Sequence, residues 1–307
     1  MTKVLITGGS GFIGKKLVDT LRLHDNKFKV FILLRSTPCI NLHCENIHIV
    51  DFSNLDKLKM VMQKINPSIV IHLAYSKSRN ERDIVMSKDY FLNLHMSSNV
   101  IEATRSLPSL SKFIFLGSCD EYGVQEDPYM EAQSERPLTS YGLSKLAITK
   151  TLMSLYLNEK FPSVVIRPSV VYGEGQGMDM FLPSLASSII NRSNFNMTKG
   201  NQYRDFIYIN DLIDAILLVL EYFEAITGEV INISYGESYR LASVAKKFAN
   251  MITPNGDSFL NIGVNSYRKS EVMDYHVSNI KAKKILHWYP KINLESGMKK
   301  VLLSLKK

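Results

Sequence analysis

The sequence predicts an α/β fold, a doubly wound parallel sheet with a smaller α/β lobe on its C-terminal side. Three observations point to it. The chain opens on a short apolar run, Val4-Leu5-Ile6, that passes into Gly8, Gly11 and Gly14 and on into Phe12–Leu23, where apolar residues recur at helical period. Further along, apolar runs of strand length alternate with helical patterns, as a parallel sheet with crossover helices requires. Finally, 307 residues exceed a typical single domain, so a large domain with a smaller partner is expected.

The opening strand, glycine turn and helix together form a phosphate cradle. Gly8 permits the tight turn, Gly11 lets a diphosphate approach the backbone, and Gly14 lets helix and strand pack closely. The first-turn N–H groups, at Phe12 and Ile13, then face the anion. Phe28–Leu34 reads as the second strand and ends on Arg35. At that distance past the glycines an acid accepts from an adenosine 2′-hydroxyl, whereas an arginine suits a 2′-phosphate. No acid stands there, so NADP(H) is favoured and NAD(H) remains possible. Asn46–Val50 is the third strand, ending on Asp51-Phe52, an acid placed either to cap the next helix or to receive an adenine amino group.

Leu55–Ile65 reads as a helix, Ser68–Ala74 as strand four and Lys112–Gly117 as strand five. His72, inside an apolar run, reads as a satisfied core histidine. The long helical pattern Asp83–Arg105 exceeds what one sheet face needs, so it and the helix 140–160 are expected to carry a homodimer contact. Ser163–Ile166 is strand six, and Glu229–Ser234, Leu241–Met251 and Asn279–Leu286 supply a later strand and two helices. The Rossmann-like domain is therefore expected over 1–166 with 205–228 returning to it, and the second lobe over 167–204 and 229–307.

Composition removes several function classes. The hydrophobic fraction of 45% and charged fraction of 21% describe an ordinary globule. No leader-like succession follows Met1 and no apolar run reaches membrane-spanning length, so a cytoplasmic protein without membrane contact is expected. Three cysteines are too few and too odd in number for a disulfide framework. Cys39, His43, Cys44 and His48 lack the spacing of a metal site, so no metal is expected. The net charge of +8 comes from dispersed lysines, which does not suit nucleic acid.

The chemistry-bearing residues follow strand five. Tyr141 and Lys145 lie four apart on a predicted helix and so share one face. A neighbouring ammonium favours the phenolate and is expected to bring the Tyr141 pKa down toward neutrality. Ser118, at the carboxyl end of strand five, can hydrogen-bond the oxygen that gains or loses the proton.

The ordered set T-G-G-S-G-F-I-G, S-C-D-E-Y-G, Y-G-L-S-K, R-P-S-V-V-Y-G and R-D-F-I-Y-I-N-D-L resembles the extended short-chain dehydrogenase/reductases that act on nucleotide sugars. That resemblance implies Ser118, Tyr141 and Lys145 as catalytic residues, with Tyr141 and Lys145 also on the cofactor. It places Gly8, Gly11, Phe12, Ile13 and Gly14 at the pyrophosphate, Asp51 and Phe52 at the adenine, Leu73 and Ala74 along the cofactor, and Pro168 and Val170 against the nicotinamide. Arg204 and Arg268 resemble the two arginines that grip a sugar-nucleotide diphosphate, and Cys119 and Asp120 would join Ser118 at the substrate. The implied partner is a nucleotide-diphosphate sugar.

Within that family, G-S-C-D-E-Y-G and R-K-S-E-V are similar to 4-ketoreductase motifs, and Arg35 leans toward NADPH. The expected activity is reduction of a 4-keto-6-deoxy sugar in surface polysaccharide precursor synthesis. A 4-epimerase, a 4,6-dehydratase and a catalytically silent cofactor-binding scaffold remain as alternatives. The sequence departs from the pattern at Cys119, at Ala74-Tyr75 where Ala-Ala is usual, and at Val170-Val171.

Overall fold

The structure, a computed structural model, describes residues 1–37, 44, 46–76 and 86–305. Its elements in chain order begin β1 (Thr2–Thr7), α1 (Phe12–Arg22), β2 (Phe28–Leu34), β3 (Ile47–Ile49), α2 (Leu55–Ile65) and β4 (Ile69–His72). They continue with α3 (Lys88–Arg105), β5 (Lys112–Leu116), α4 (Ser140–Glu159), β6 (Ser163–Pro168), β7 (Val170–Tyr172), α5 (Phe181–Ile190), β8 (Phe195–Met197) and β9 (Tyr203–Tyr208). The remainder is α6 (Ile209–Glu221), α7 (Phe223–Ile226), β10 (Val230–Ile233), β11 (Ser238–Arg240), α8 (Leu241–Ile252), β12 (Leu260–Ile262), α9 (Ile280–Leu286) and α10 (Leu294–Leu305). Cys39, His43 and the start of the helix expected from Asp83 lie outside the described residues. Cys44 donates to the Val30 carbonyl at 3.5 Å, and His48 stacks on Phe31.

The chain divides into two compact units, Met1–Gly123 with Ser134–Arg167 and Ile213–Ile231, and Val124–Gln133 with Pro168–Leu212 and Asn232–Lys307. The first is built on a seven-stranded sheet in the order β10-β6-β5-β4-β1-β2-β3. β1 pairs in parallel with β2 from Thr2↔Phe28 to Thr7↔Leu33, and with β4 from Val4↔Ile69 to Thr7↔His72. Strand order runs outward in opposite directions from β1 and β4, so the crevice beyond their carboxyl ends is the switch point where ligands bind in such sheets.

Local chemistry explains the helices around it. α2 starts where Asn54 accepts from the Lys57 N–H at 3.0 Å and stops at Asn66, in the left-handed conformation (φ 50°) just before Pro67. Its buried residues Leu58, Met62 and Ile65 recur at helical spacing and meet Leu5, Leu33, Val70 and Phe113 of the sheet. α3 adds Met96 and Val100 to that core, and α4 adds Ile148 and Leu152.

His72, in β4, is a polar residue sealed inside the sheet. His72 is hydrogen-bonded through Nδ1 to Thr7 Oγ1 at 2.6 Å and through Nε2 to Ser97 Oγ at 3.0 Å, and it stacks on Phe115. Burial, helped by the Lys145 charge, pushes its pKa down to about 3. The folded state thus resists a proton that the unfolded chain accepts below about 6.5. Stability that is fully present above that pH is expected to fall by up to about 1.4 kcal/mol per pH unit as pH drops toward the folded value. Urea unfolding at several pH values checks this, and His72→Gln should flatten the slope.

The second unit carries a three-stranded sheet, β11-β9-β7, and the parallel pair β12-β8. Its partition differs from the sequence expectation at two places. Residues 205–208 belong to β9 and pair with β7 and β11, so the segment returning to the first unit is 213–231. Residues 124–133 join the second unit because Tyr129 exchanges backbone hydrogen bonds with His276 and Ser278. Asp205, fully buried, ties this unit together by accepting from Ser169 Oγ at 2.7 Å, Tyr235 N at 2.9 Å and Gly236 N at 2.8 Å. Burial pushes its carboxyl up to about 6.

Candidate active site

The glycine cradle is set by contacts that exclude a side chain. Gly8 has φ +75°, and a Cβ there would stand 2.7 Å from the Ala74 backbone nitrogen. A Cβ on Gly14 would fall 2.1 Å from the Gly8 carbonyl, which is the close helix–strand packing the spacing predicts. At Gly9 a Cβ would meet the Ile32 side chain at 2.6 Å. At Gly11, the N-cap of α1, a Cβ would meet only the Gly8 carbonyl, at 3.3 Å. No side chain caps α1 and its first turn holds no acid. Phe12 and Ile13 therefore begin a helix whose amino end suits a diphosphate. Leu73 and Ala74 flank it, their N–H groups donating to the Thr7 carbonyl and hydroxyl, each at 3.2 Å.

Farther along the same edge, Arg35 is exposed just beyond β2, with Nη1 resting on Met96 Sδ at 3.5 Å. Asp51 is exposed and closes an Asx turn on Ser53 N (2.9 Å) and Oγ (2.7 Å), bonds that hold its carboxyl below the usual range. Asn54, rather than Asp51, caps the next helix. The Phe52 ring is wholly buried in the core, so only its main chain is available to a cofactor.

Ser118, Tyr141 and Lys145 come together at the carboxyl end of β5. Ser118 starts a short 3₁₀ turn over Cys119–Glu121 as its cap: its Oγ accepts from Asp120 N at 3.1 Å, and its own N–H donates to Glu121 Oε1 at 2.9 Å. Thr139 Oγ1 accepts from Gly142 N at 3.0 Å and sets the start of α4. Gly142 is needed there because a Cβ would lie 2.4 Å from the Asp120 carbonyl. This close approach brings Tyr141 to the Ser118 turn, where the serine hydroxyl hydrogen-bonds the phenol.

Lys145 is oriented differently from the sequence expectation. Its Nζ donates to the Leu116 carbonyl at 2.5 Å and lies 4.5 Å from the Tyr75 ring centre, 4.7 Å from that of Phe115 and 6.0 Å from that of Tyr141. The Tyr141 phenol is accordingly pushed up, not down. Burial is the main cause, Asp120, Tyr75 and Glu121 act in the same direction, and the Ser118 hydrogen bond opposes them. Tyr141 holds its proton at neutral pH, the form in which a phenol acts as an acid.

Two expected substrate residues are engaged within the protein. Cys119 is fully buried with Sγ on the Arg167 carbonyl at 3.2 Å, so its side chain does not line a ligand surface. Arg204 is bound within the second unit: it pairs with Glu271 and donates to the carbonyls of Tyr203 (2.6 Å) and Val272 (2.8 Å). Arg268, half-exposed, reaches the same Glu271 at 3.5 Å. The two arginines are thus brought together, with a carboxylate between them. Asp120 is half-buried at the Ser118 turn. Pro168 and Val170 belong to the second unit, Val170 of β7 pairing with Phe206 of β9.

Residues 4–234 match the NAD dependent epimerase/dehydratase family. A dTDP-D-glucose 4,6-dehydratase of Homo sapiens is 25% identical over 98% of the chain and 89% of its own length. A dTDP-4-dehydro-6-deoxyglucose reductase of Escherichia coli is 27% identical over 99% of the chain and 97% of its own. Among solved structures, a UDP-glucuronic acid 4-epimerase from Bacillus cereus in complex with UDP-glucuronic acid and NAD superposes with a TM-score of 0.83 at 26% identity, covering 99% of both chains.

Proposed function

We propose that this chain, which belongs to the NAD dependent epimerase/dehydratase family, reduces the C4 ketone of a nucleotide-activated 4-keto-6-deoxy sugar with NADPH, a step toward surface polysaccharide precursors. The observation that carries the reading is the hydrogen-bonded Ser118–Tyr141 pair, whose phenol is kept protonated by burial and by the neighbouring Asp120 carboxylate. A reduction needs a protonated acid beside the ketone, and this phenol meets that need. The E. coli reductase relative and the reductase-like motifs around Ser118 and Arg268 support the same choice.

The glycine cradle would hold the pyrophosphate of the dinucleotide, whose reduced nicotinamide would supply the hydride. Tyr141 hands its proton to the C4 oxygen, and Ser118 orients that oxygen by a hydrogen bond. Lys145 would hold the cofactor ribose by its ammonium. Arg204 and Arg268, two guanidiniums around the single Glu271 carboxylate, leave positive charge for a sugar-nucleotide diphosphate.

NADPH is preferred to NADH in this reading because Arg35 is exposed beyond β2 and the strand ends on it rather than on an acid in the sequence. Arg35→Ala is expected to raise the KM for NADPH by about 10- to 100-fold, the worth of a charge-assisted hydrogen bond to phosphate, and to leave that for NADH nearly unchanged. Initial rates with both nucleotides check this. The activity itself is tested with a panel of nucleoside-diphosphate 4-keto-6-deoxy sugars, following loss of reduced-nicotinamide absorbance. Tightly held NAD, with interconversion of two C4 epimers in the absence of added cofactor, would overturn the reductase reading in favour of an epimerase.

A further inference from the structure

A second tyrosine stands over Tyr141 and Lys145. Tyr75 follows β4, and its backbone is anchored to α3. Ser76 N donates to Asn93 Oδ1 at 2.8 Å, Asn93 Nδ2 donates to the Ser76 carbonyl at 2.7 Å, and Ser76 Oγ donates to Asp89 at 3.1 Å. From this fixed point the side chain engages α4 in three ways. Its ring meets that of Tyr141 edge to face, with centroids 4.8 Å apart. Its hydroxyl bonds Ser144 Oγ, which in turn donates to the Tyr141 carbonyl at 3.0 Å. Its ring also covers the Lys145 ammonium, which Phe115 and the Leu116 carbonyl hold from other sides.

We propose that Tyr75 is a positioning residue, one that sets the angle of the Tyr141 phenol toward Ser118 and keeps the Lys145 ammonium caged against Leu116. Lysine is long and flexible, and nothing intrinsic to its side chain would hold it at one carbonyl. Two aromatic faces and one acceptor do so here, and they place the ammonium 6.0 Å from the centre of the Tyr141 ring, one helical turn along α4. Among the described residues, the groups that face Tyr141 include Asp120, Glu121 and Ser118 from the 3₁₀ turn, Tyr75 from the end of β4, and Lys145 on its own helix. Tyr75 touches both the phenol-bearing residue and the lysine. An alanine at this position would supply none of these contacts.

This inference rests on Tyr141 being the proton donor, but its test does not need turnover. In the full chain without sugar, the ionisation of Tyr141 is read as the tyrosinate absorbance that Tyr141→Phe removes. Tyr75→Ala opens the cage, lets the ammonium approach, and is expected to move that ionisation down by at least about half a pH unit. With sugar and NADPH, kcat should fall by roughly tenfold or more while the sugar KM stays within about twofold, the pattern of a misaligned acid. Tyr75→Phe and Ser144→Ala break the same hydrogen-bond chain and conserve volume, so both should shift the ionisation the same way by less.

A folded Tyr75→Ala protein with an unmoved Tyr141 ionisation would overturn the proposal. Were that variant not to fold, unmoved ionisation in both Tyr75→Phe and Ser144→Ala would overturn it equally. If the ionisation shifts as expected but the parent protein consumes no NADPH with any 4-keto sugar, Tyr75 keeps its positioning role and the reductase reading falls.

Discussion

Tyr141→Phe is expected to lower kcat by about 10²- to 10⁴-fold, the contribution of a positioned general acid, while NADPH binding stays within about threefold of the parent. The two effects separate because different residues carry them. The cradle is made by Gly8, Gly9, Gly11 and Gly14 between β1 and α1, and none of the contacts that shape it involves Tyr141. Phenylalanine keeps the ring that meets Tyr75 edge to face and loses only the oxygen that Ser118 bonds. Ser118 stays placed, since its Oγ still accepts from Asp120 N and its N–H still donates to Glu121. The parent pH profile gives a second check. Burial and the Asp120 charge push the phenol up, so the acid form persists through neutrality, and kcat should decline only above the ordinary phenol value of about 10. A decline centred near pH 7 would mean that the Lys145 ammonium governs the phenol after all. Undiminished turnover by the phenylalanine variant would remove Tyr141 from the chemistry.

Much of this architecture was legible because its causes are local. The run Phe28–Leu34 and the helix Leu55–Ile65 form at the residues where β-branched content, helical period and the Asn66-Pro67 stop place them. Gly8 and Gly14 were readable for the same reason, since a strand, a turn and a helix within fourteen residues leave few ways to pack. What escaped depends on contacts between distant residues. Tyr75 and Tyr141 are neighbours only because β4 and β5 pair, Ile69↔Lys112 through His72↔Phe115, and thereby carry both strand ends to one edge. The direction of the Lys145 side chain follows from the Leu116 carbonyl and two rings contributed by other strands, none of which its own helix announces. The Tyr141 phenol is raised rather than lowered chiefly because it is buried, with Asp120 beside it, and spacing along one helix shows neither. Residues 205–208 carry a strand pattern that suits either unit, and only their pairing with β7 and β11 decides between them.

Arg167→Met is expected to destabilise the fold by about 3–5 kcal/mol, because it leaves a buried carboxylate with no counter-charge. The guanidinium is wholly buried. It donates through Nε to Glu121 Oε2 at 2.9 Å and through Nη2 to Glu135 Oε1 at 2.8 Å, while Glu135 also pairs with Lys150 at 2.8 Å. Glu121, itself fully buried, is pushed up by burial and drawn back chiefly by Arg167. Its other oxygen holds the Ser118 N–H, so this ion cluster is also what fixes the proton-handling serine at the end of β5. The double variant Glu121→Leu with Arg167→Met removes both charges at once and should recover a large part of the lost stability, since an apolar pair of similar volume carries no desolvation penalty. Activity should not recover with it, because Ser118 has still lost the acceptor for its N–H. Urea unfolding of the two single variants and the double variant, read beside kcat, separates these effects. Recovery of kcat together with stability would show that Ser118 holds its place without Glu121.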